Sequence, residues 1–109
     1  MNPTCIENTW QGDEEFKACV REWAEKIGVQ PTRIQVQEMR QKWASCSRAG
    51  IITLSTELLR RDRRFGEAVI VHELLHLKVR NHGKLFKSLF RAYLPGGEQL
   101  LDEYLSRLD

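Results

Sequence analysis

The stretch Val71-His72-Glu73-Leu74-Leu75-His76, with His82 following after five intervening residues, decides how the chain is read. Histidines four positions apart on a helix project from one face, about one turn from each other. That spacing lets two imidazole nitrogens reach a single tetrahedral Zn²⁺ at roughly 2.0–2.1 Å each. Glu73 falls beside His72, where its carboxylate can act on a water without ligating, as in the H-E-x-x-H arrangement of zinc hydrolases. All three histidines of the chain lie between residues 72 and 82.

The flanks of the motif are apolar. Ala68, Val69, Val71, Leu74, Leu75 and Leu77 surround the histidines, so Phe65 to Val79 is expected to form a helix buried over most of its circumference. Two histidines and a glutamate buried there without partners would be costly, and a metal ion removes the cost. A helix continued through residue 82 would rotate His82 about 600° from His76, at roughly 100° per residue, and point it away from the metal. Arg80 and Asn81 are therefore expected to end the helix, Asn81 as a left-handed cap, so that His82 doubles back as third ligand. Three neutral histidines leave a fourth position for water, the pattern of a catalytic site. The expected cofactor is one Zn²⁺ per chain on His72, His76 and His82. Glu73 would take a proton from the metal-bound water during attack on a carbonyl and return it to the leaving group. Tyr93, on a helical apolar stripe, reads as core rather than as an oxyanion donor.

The bulk properties are compatible with such a site and narrow the setting. The 109 residues suit one domain, and 41% hydrophobic with 29% charged residues is ordinary for a globular protein. A net charge of +2 does not call for a nucleic-acid or membrane partner. No apolar run approaches the roughly 20 residues of a membrane span, and Met1 to Trp10 lacks the pattern of a secretory signal. Cys5, Cys19 and Cys46 are odd in number, scattered and without a C-x-x-C. They suit a reducing compartment, so the expected location is cytoplasmic. No feature specifies an oligomeric state.

Along the chain, residues 1–12 read as a flexible polar arm and 13–109 as the domain. Asp13 to Ile27 is an amphipathic helix with Phe16, Val20, Trp23 and Ile27 at helical spacing, acids in its first turn and Gly28 as its stop. Arg33 to Met39 alternates as a half-buried strand. Trp43 to Ser47 and Ile51 to Leu54 are two further strands, joined by a hairpin turn at Arg48-Ala49-Gly50. Together the strands are expected to form a small antiparallel sheet. If the motif helix packs under it, the strand at Trp43 to Ser47 can bind an extended substrate by β-augmentation. Cys46, with no histidine to spare as its base, reads as structural. Ser55 or Thr56 caps a short helix through Leu59. The arginines of Arg60-Arg61-Asp62-Arg63-Arg64 then read as a solvated helix end in preference to a phosphate patch. Gly83 to Leu94 and Glu98 to Leu108 are the remaining helices, with Phe86, Leu89, Phe90 and Tyr93 on the apolar stripe of the first, and Leu101, Tyr104, Leu105 and Leu108 on that of the second.

Trp43-Ala44-Ser45-Cys46-Ser47, Gly50-Ile51-Ile52-Thr53-Leu54-Ser55, His72-Glu73-Leu74-Leu75-His76-Leu77 and His82-Gly83-Lys84-Leu85-Phe86 together resemble the YgjP-like metal-dependent hydrolases, relatives of the SprT-like metallopeptidases. The resemblance spans residues 34–94. It implies a minimal zincin-like α+β fold, a small antiparallel sheet packed on an active-site helix with flanking helices, and it too makes His72, His76 and His82 ligands and Glu73 the base. Ala44 stands where the family usually has glycine. The chain is shorter at its N-terminus than is typical of that family and carries no SprT-type zinc ribbon.

The expected function is zinc-dependent hydrolysis of peptide bonds in a peptide or protein substrate, without a nucleic-acid or membrane partner. Two alternatives are hydrolysis of a non-peptide substrate such as a nucleotide phosphoanhydride, for which the arginines could serve, and a metal-stabilised binding module without turnover. Retention of Glu73 speaks against the last, because a structural metal site has no use for an uncoordinated carboxylate.

Overall fold

The fold follows from one strand being far more apolar than its neighbours. In this computed structural model, residues 10–81 and 83–101 are described, Glu98 without its side chain. The elements run α1 (Asp13–Ile27), β1 (Arg33–Gln37), β2 (Ala44–Cys46), β3 (Ile51–Ser55), a 3₁₀ turn (Thr56–Arg60), α2 (Arg63–Leu75), α3 (Lys84–Tyr93) and the short α4 (Gly97–Leu100). The sheet has the order β1-β3-β2. Ile52, Thr53, Leu54 and Ser55 are all buried, which gives β3 the centre. The more polar β1 and the three-residue β2 take the edges.

The sheet is mixed, and here the all-antiparallel expectation is corrected. β2 pairs antiparallel with β3, as the hairpin at Gly50 requires, but β1 runs parallel to β3. Two sets of hydrogen bonds explain the direction. The entrance to β1 is tied to the hairpin turn, with Thr32 N donating to Gly50 O at 2.8 Å and Thr32 Oγ1 to Ala49 O at 2.6 Å. β1 and β3 therefore start at the same end. The connection 38–43 then passes across the far end of β3, where Ser55 Oγ meets Met39 O and Ser55 N donates to Trp43 O. β2 is thereby delivered to the other side of β3. Cross-strand rows Ile34/Ile52/Cys46 and Val36/Leu54/Ala44 share one face, while Gln35, Thr53 and Ser45 share the other. The α+β class is as expected.

Helix α1 has the expected bounds, and Gly28 closes it with φ 84° and its N–H on Ala24 O. It packs on β1 and α2, while α2 packs on β2, so the two helices form one layer against the sheet. Apolar burial supplies the driving force: Phe16, Val20, Ile27, Ile52, Leu54 and Ile70 are among the fully enclosed side chains, each stabilising the fold by about 1.5–3 kcal/mol.

Most of the arm expected over residues 1–12 lies outside the described residues, but Trp10 is in the core at 6% exposure. Its ring meets Phe16 edge-on at 4.7 Å and carries the Arg63 guanidinium 4.4 Å from its centroid. Arg63 Nη1 also donates to Glu15 at 2.8 Å, and Glu15 accepts from Gln11 N at 2.6 Å. Beneath Trp10 lies Gly66, where an added Cβ would stand 2.9 Å from the indole Nε1. Gly66→Ala should therefore lower stability by about 1–3 kcal/mol in denaturant melts, overpacking outweighing the roughly 1 kcal/mol gained in helix propensity. The Gln11 N–H and Arg63 hold the Glu15 carboxyl below its ordinary 4.5. Its folded-state pKa is depressed, so its stabilisation is present above that ordinary value and lost as pH falls below it. Glu15→Gln should flatten that part of the acid unfolding profile, read by tryptophan fluorescence.

Candidate metal centre

The helix that carries the motif starts earlier and stops sooner than its apolar pattern suggests. Asp62 is its N-cap, Oδ1 accepting from Arg64 N at 2.8 Å. Such a cap contributes about 1 kcal/mol. From Phe65 to Leu75 every residue except Glu67 is buried. The expected extension to Val79 fails because the last turn tightens: His76 N reaches Glu73 O, Leu77 N reaches Leu74 O and Lys78 N reaches Leu75 O. These are i→i+3 bonds of the kind that close helix ends. Lys78 Nζ then donates to Ile27 O at the end of α1, 2.8 Å away, pinning the exit turn. The chain thus begins to turn at His76, ahead of Arg80 and Asn81.

The arginine cluster at the helix start is largely committed to packing. Arg61 lies over Trp43 and Phe65, 5.0 and 4.7 Å from their centroids, and Arg63 lies over Trp10. Arg64 is exposed beside Asp62. The solvated-end reading was too simple, since two of these four cations cover aromatic core.

The helix brings His72, Glu73 and His76 together. Their potential ligand atoms all lie within 4.8 Å of one another. The two imidazoles stand 5.0 Å apart at 83°, and His72 Nδ1 is 3.5 Å from Glu73 Oε2. His72 and Glu73 are each 3% exposed. His76 Nδ1 donates to the Arg80 carbonyl at 3.2 Å, which leaves its Nε2 for a metal, as a backbone acceptor does at many histidine ligands. This donor set fits a metal ion. His82 lies outside the described residues.

Phe86 of α3 closes one side of the centre. Its ring is 5.2 Å from that of His72 and 5.0 Å from that of His76, with Phe90 6.5 Å from His72. On the α1 side, Glu67 accepts from Trp23 Nε1 at 3.2 Å and from Cys19 Sγ. Burial, with the Glu67 charge second, pushes the Cys19 thiol up to about 12. It is no nucleophile at neutral pH. Sequence reasoning placed Phe86 on the stripe of its helix but missed its contact with both imidazoles. It also missed Glu67, Lys78 and the Arg80 carbonyl. An acid inside an otherwise apolar helix was a signal for Glu67; a backbone carbonyl leaves none.

The family profile described as YgjP-like, metallopeptidase domain, matches residues 9–105. The chain belongs to this YgjP-like metallopeptidase family. It is a metal-dependent hydrolase acting as a peptidase. Two solved structures are similar. The metallopeptidase zymogen of Methanocaldococcus jannaschii jannalysin has a TM-score of 0.73 at 24% identity, over 88% of this chain and 97% of that one. The metallopeptidase zymogen of Pyrococcus abyssi abylysin has a TM-score of 0.71 at 21% identity, over 85% of this chain and 94% of that one. At such identities the likeness is one of fold, and the fold is zincin-like. A comparison with curated proteins finds no match. Among the described residues no helix is long and apolar enough to cross a membrane.

Removing the aromatic wall should disorder the imidazoles. Phe86→Ala is expected to cost about 3–5 kcal/mol of stability and to weaken metal retention, measured by chemical unfolding and by titration with a competing chelator.

Proposed function

We propose that His72, His76 and His82 hold one Zn²⁺ ion and that Glu73 is the general base of peptide-bond hydrolysis. The observation that carries this reading is the convergence of His72, Glu73 and His76 on one small volume. Imidazole donors suit zinc among the metals available to a peptidase. The place given to His82 is supported by the path of the chain: α2 stops at Leu75, and the carbonyl of Arg80 has already returned to the His76 ring. Residue 82 follows two positions later.

When bound, the ion supplies Lewis acidity to the scissile carbonyl and acidifies water toward a pKa of about 7. The rest is the work of this chain. His76 keeps its orientation through Arg80 O, and Phe86 restrains both rings. Glu73 has its carboxylate in a nearly water-free setting, where it can take up a proton and deliver it to the leaving amine. β2 is an edge strand that packs on α2, so a substrate segment can lie extended along it and use the backbone groups that β3 leaves unused. Ser45 and its neighbours would then set the register of the bond to be cut. A cytoplasmic setting belongs to the same proposal, in keeping with Cys19 and Cys46 as free thiols.

Elemental analysis should find about one zinc per chain. Glu73→Gln should keep the metal and lose turnover of unstructured peptides by about 10²–10⁴-fold, while His82→Ala should lose metal to a chelator that the parent resists. Protein that takes up no metal, or Glu73→Gln with parental turnover, would overturn the assignment.

A further inference from the structure

The positive charge of this protein is concentrated beside the centre. From Leu74 to Gly97 there is no Asp or Glu, while Lys78, Arg80, Lys84, Lys87 and Arg91 fall in that span. The whole chain has 17 Lys and Arg against 15 Asp and Glu, so the remainder carries 12 against 15 and is net acidic. Part of this charge lies on the segments that touch the centre. Arg80 is exposed, and its own carbonyl holds His76. Lys84 and Lys87 are exposed on the first turn of α3 and just beyond it, flanking Phe86, whose ring touches both histidines. None of these three cations makes an ion pair among the described residues. Leu85, between the two lysines, is 60% exposed and is the large hydrophobic side chain left in solvent there.

Stability does not account for this placement. The N-terminus of a helix carries the positive end of its dipole, where acids stabilise and cations destabilise by about 0.3–1 kcal/mol each. α1 obeys the rule with Asp13, Glu14 and Glu15 in its first turn. α2 departs from it with Arg63 and Arg64 behind the Asp62 cap, Arg63 being held there by Trp10 and Glu15; α3 departs from it as well, with no acid in its first turn and Lys84 at its start. A merely solvated face would be free to obey the rule. These lysines add to the dipole's field next to the metal centre.

We propose that Arg80, Lys84 and Lys87 select acidic polypeptide segments as substrates, holding Asp and Glu side chains beside the scissile bond while Leu85 offers an apolar contact. The inference rests on the peptidase reading of the centre and names its substrate class. A polypeptide is favoured over nucleic acid because the aromatics of α3 are not offered for stacking: Phe86 and Phe90 are buried.

The test uses three labelled peptides of equal length whose flanking positions are all Glu, all Gln or all Lys. Binding to zinc-loaded Glu73→Gln protein is read by fluorescence anisotropy, and cleavage by the parent is read separately. The Glu peptide should bind on the order of tenfold more tightly than the Gln peptide, with the difference fading between about 0.05 and 0.5 M salt. The double variant Lys84→Glu, Lys87→Glu should reverse the order of Glu and Lys peptides with its zinc content intact. Lys84→Gln, Lys87→Gln, a milder change, should abolish the preference and serves if charge reversal impairs folding. Equal binding of all three peptides, a preference untouched in both variants, or a single-stranded RNA that displaces the Glu peptide would overturn the inference. Absence of cleavage of every peptide by the zinc-loaded parent would instead overturn the peptidase reading, while the binding order still decides this one.

Discussion

Everything in this fold answers to one constraint: two histidines and a glutamate ride on a helix that the core encloses almost completely. Each buried polar group without a partner costs on the order of 2–7 kcal/mol. The same helix buries Val69, Ile70, Val71, Leu74 and Leu75, and at about 1.5–3 kcal/mol each these outweigh the polar groups only if the latter find partners. The structure provides part of this locally. His72 and Glu73 face one another, His76 has the Arg80 carbonyl, and the aromatic wall of Phe86 excludes water from one side. A metal ion completes the set. Stability and function are thus coupled at the same atoms.

The elements around α2 hold it in place from both ends. α1 grips its first half through Trp23, Cys19 and Glu67, and receives Lys78 at its own C-terminus from the turn just past His76. Trp10 fills the notch left by Gly66 and is held there by Arg63 and Glu15. The sheet contributes through Trp43, the residue before β2, which packs on Phe65 at 5.3 Å under the Arg61 guanidinium. Of the arginines that read as a solvated helix end in one dimension, Arg61 and Arg63 act as lids on aromatic rings in three. Peptide chemistry follows from family membership.

Local chemistry made much of this legible in the sequence. Asp13 to Ile27 and its Gly28 stop, the Ser55 cap, the Gly50 turn and the i, i+4 histidines all depend on residues within a few positions of one another, and each appears as read. The family assignment was legible too, because its motifs are local strings. Helix ends were less so. Apolar periodicity continues through Leu77 and Val79, and nothing nearby announces that Lys78 will be drawn to the end of α1.

Tertiary structure alone decided the rest. The parallel pairing of β1 hangs on Thr32 meeting the Ala49-Gly50 turn, a contact across 17 residues that no period-two pattern encodes. The burial of Trp10 depends on an absent side chain at Gly66, and the tautomer of His76 on a backbone carbonyl, which is the same atom in every residue. The sequence by itself determined which groups could do chemistry and which helix carries them, because those follow from side-chain identity and short-range geometry. Which surfaces enclose them, and which cations stand beside them, was settled only when distant segments competed for the same core.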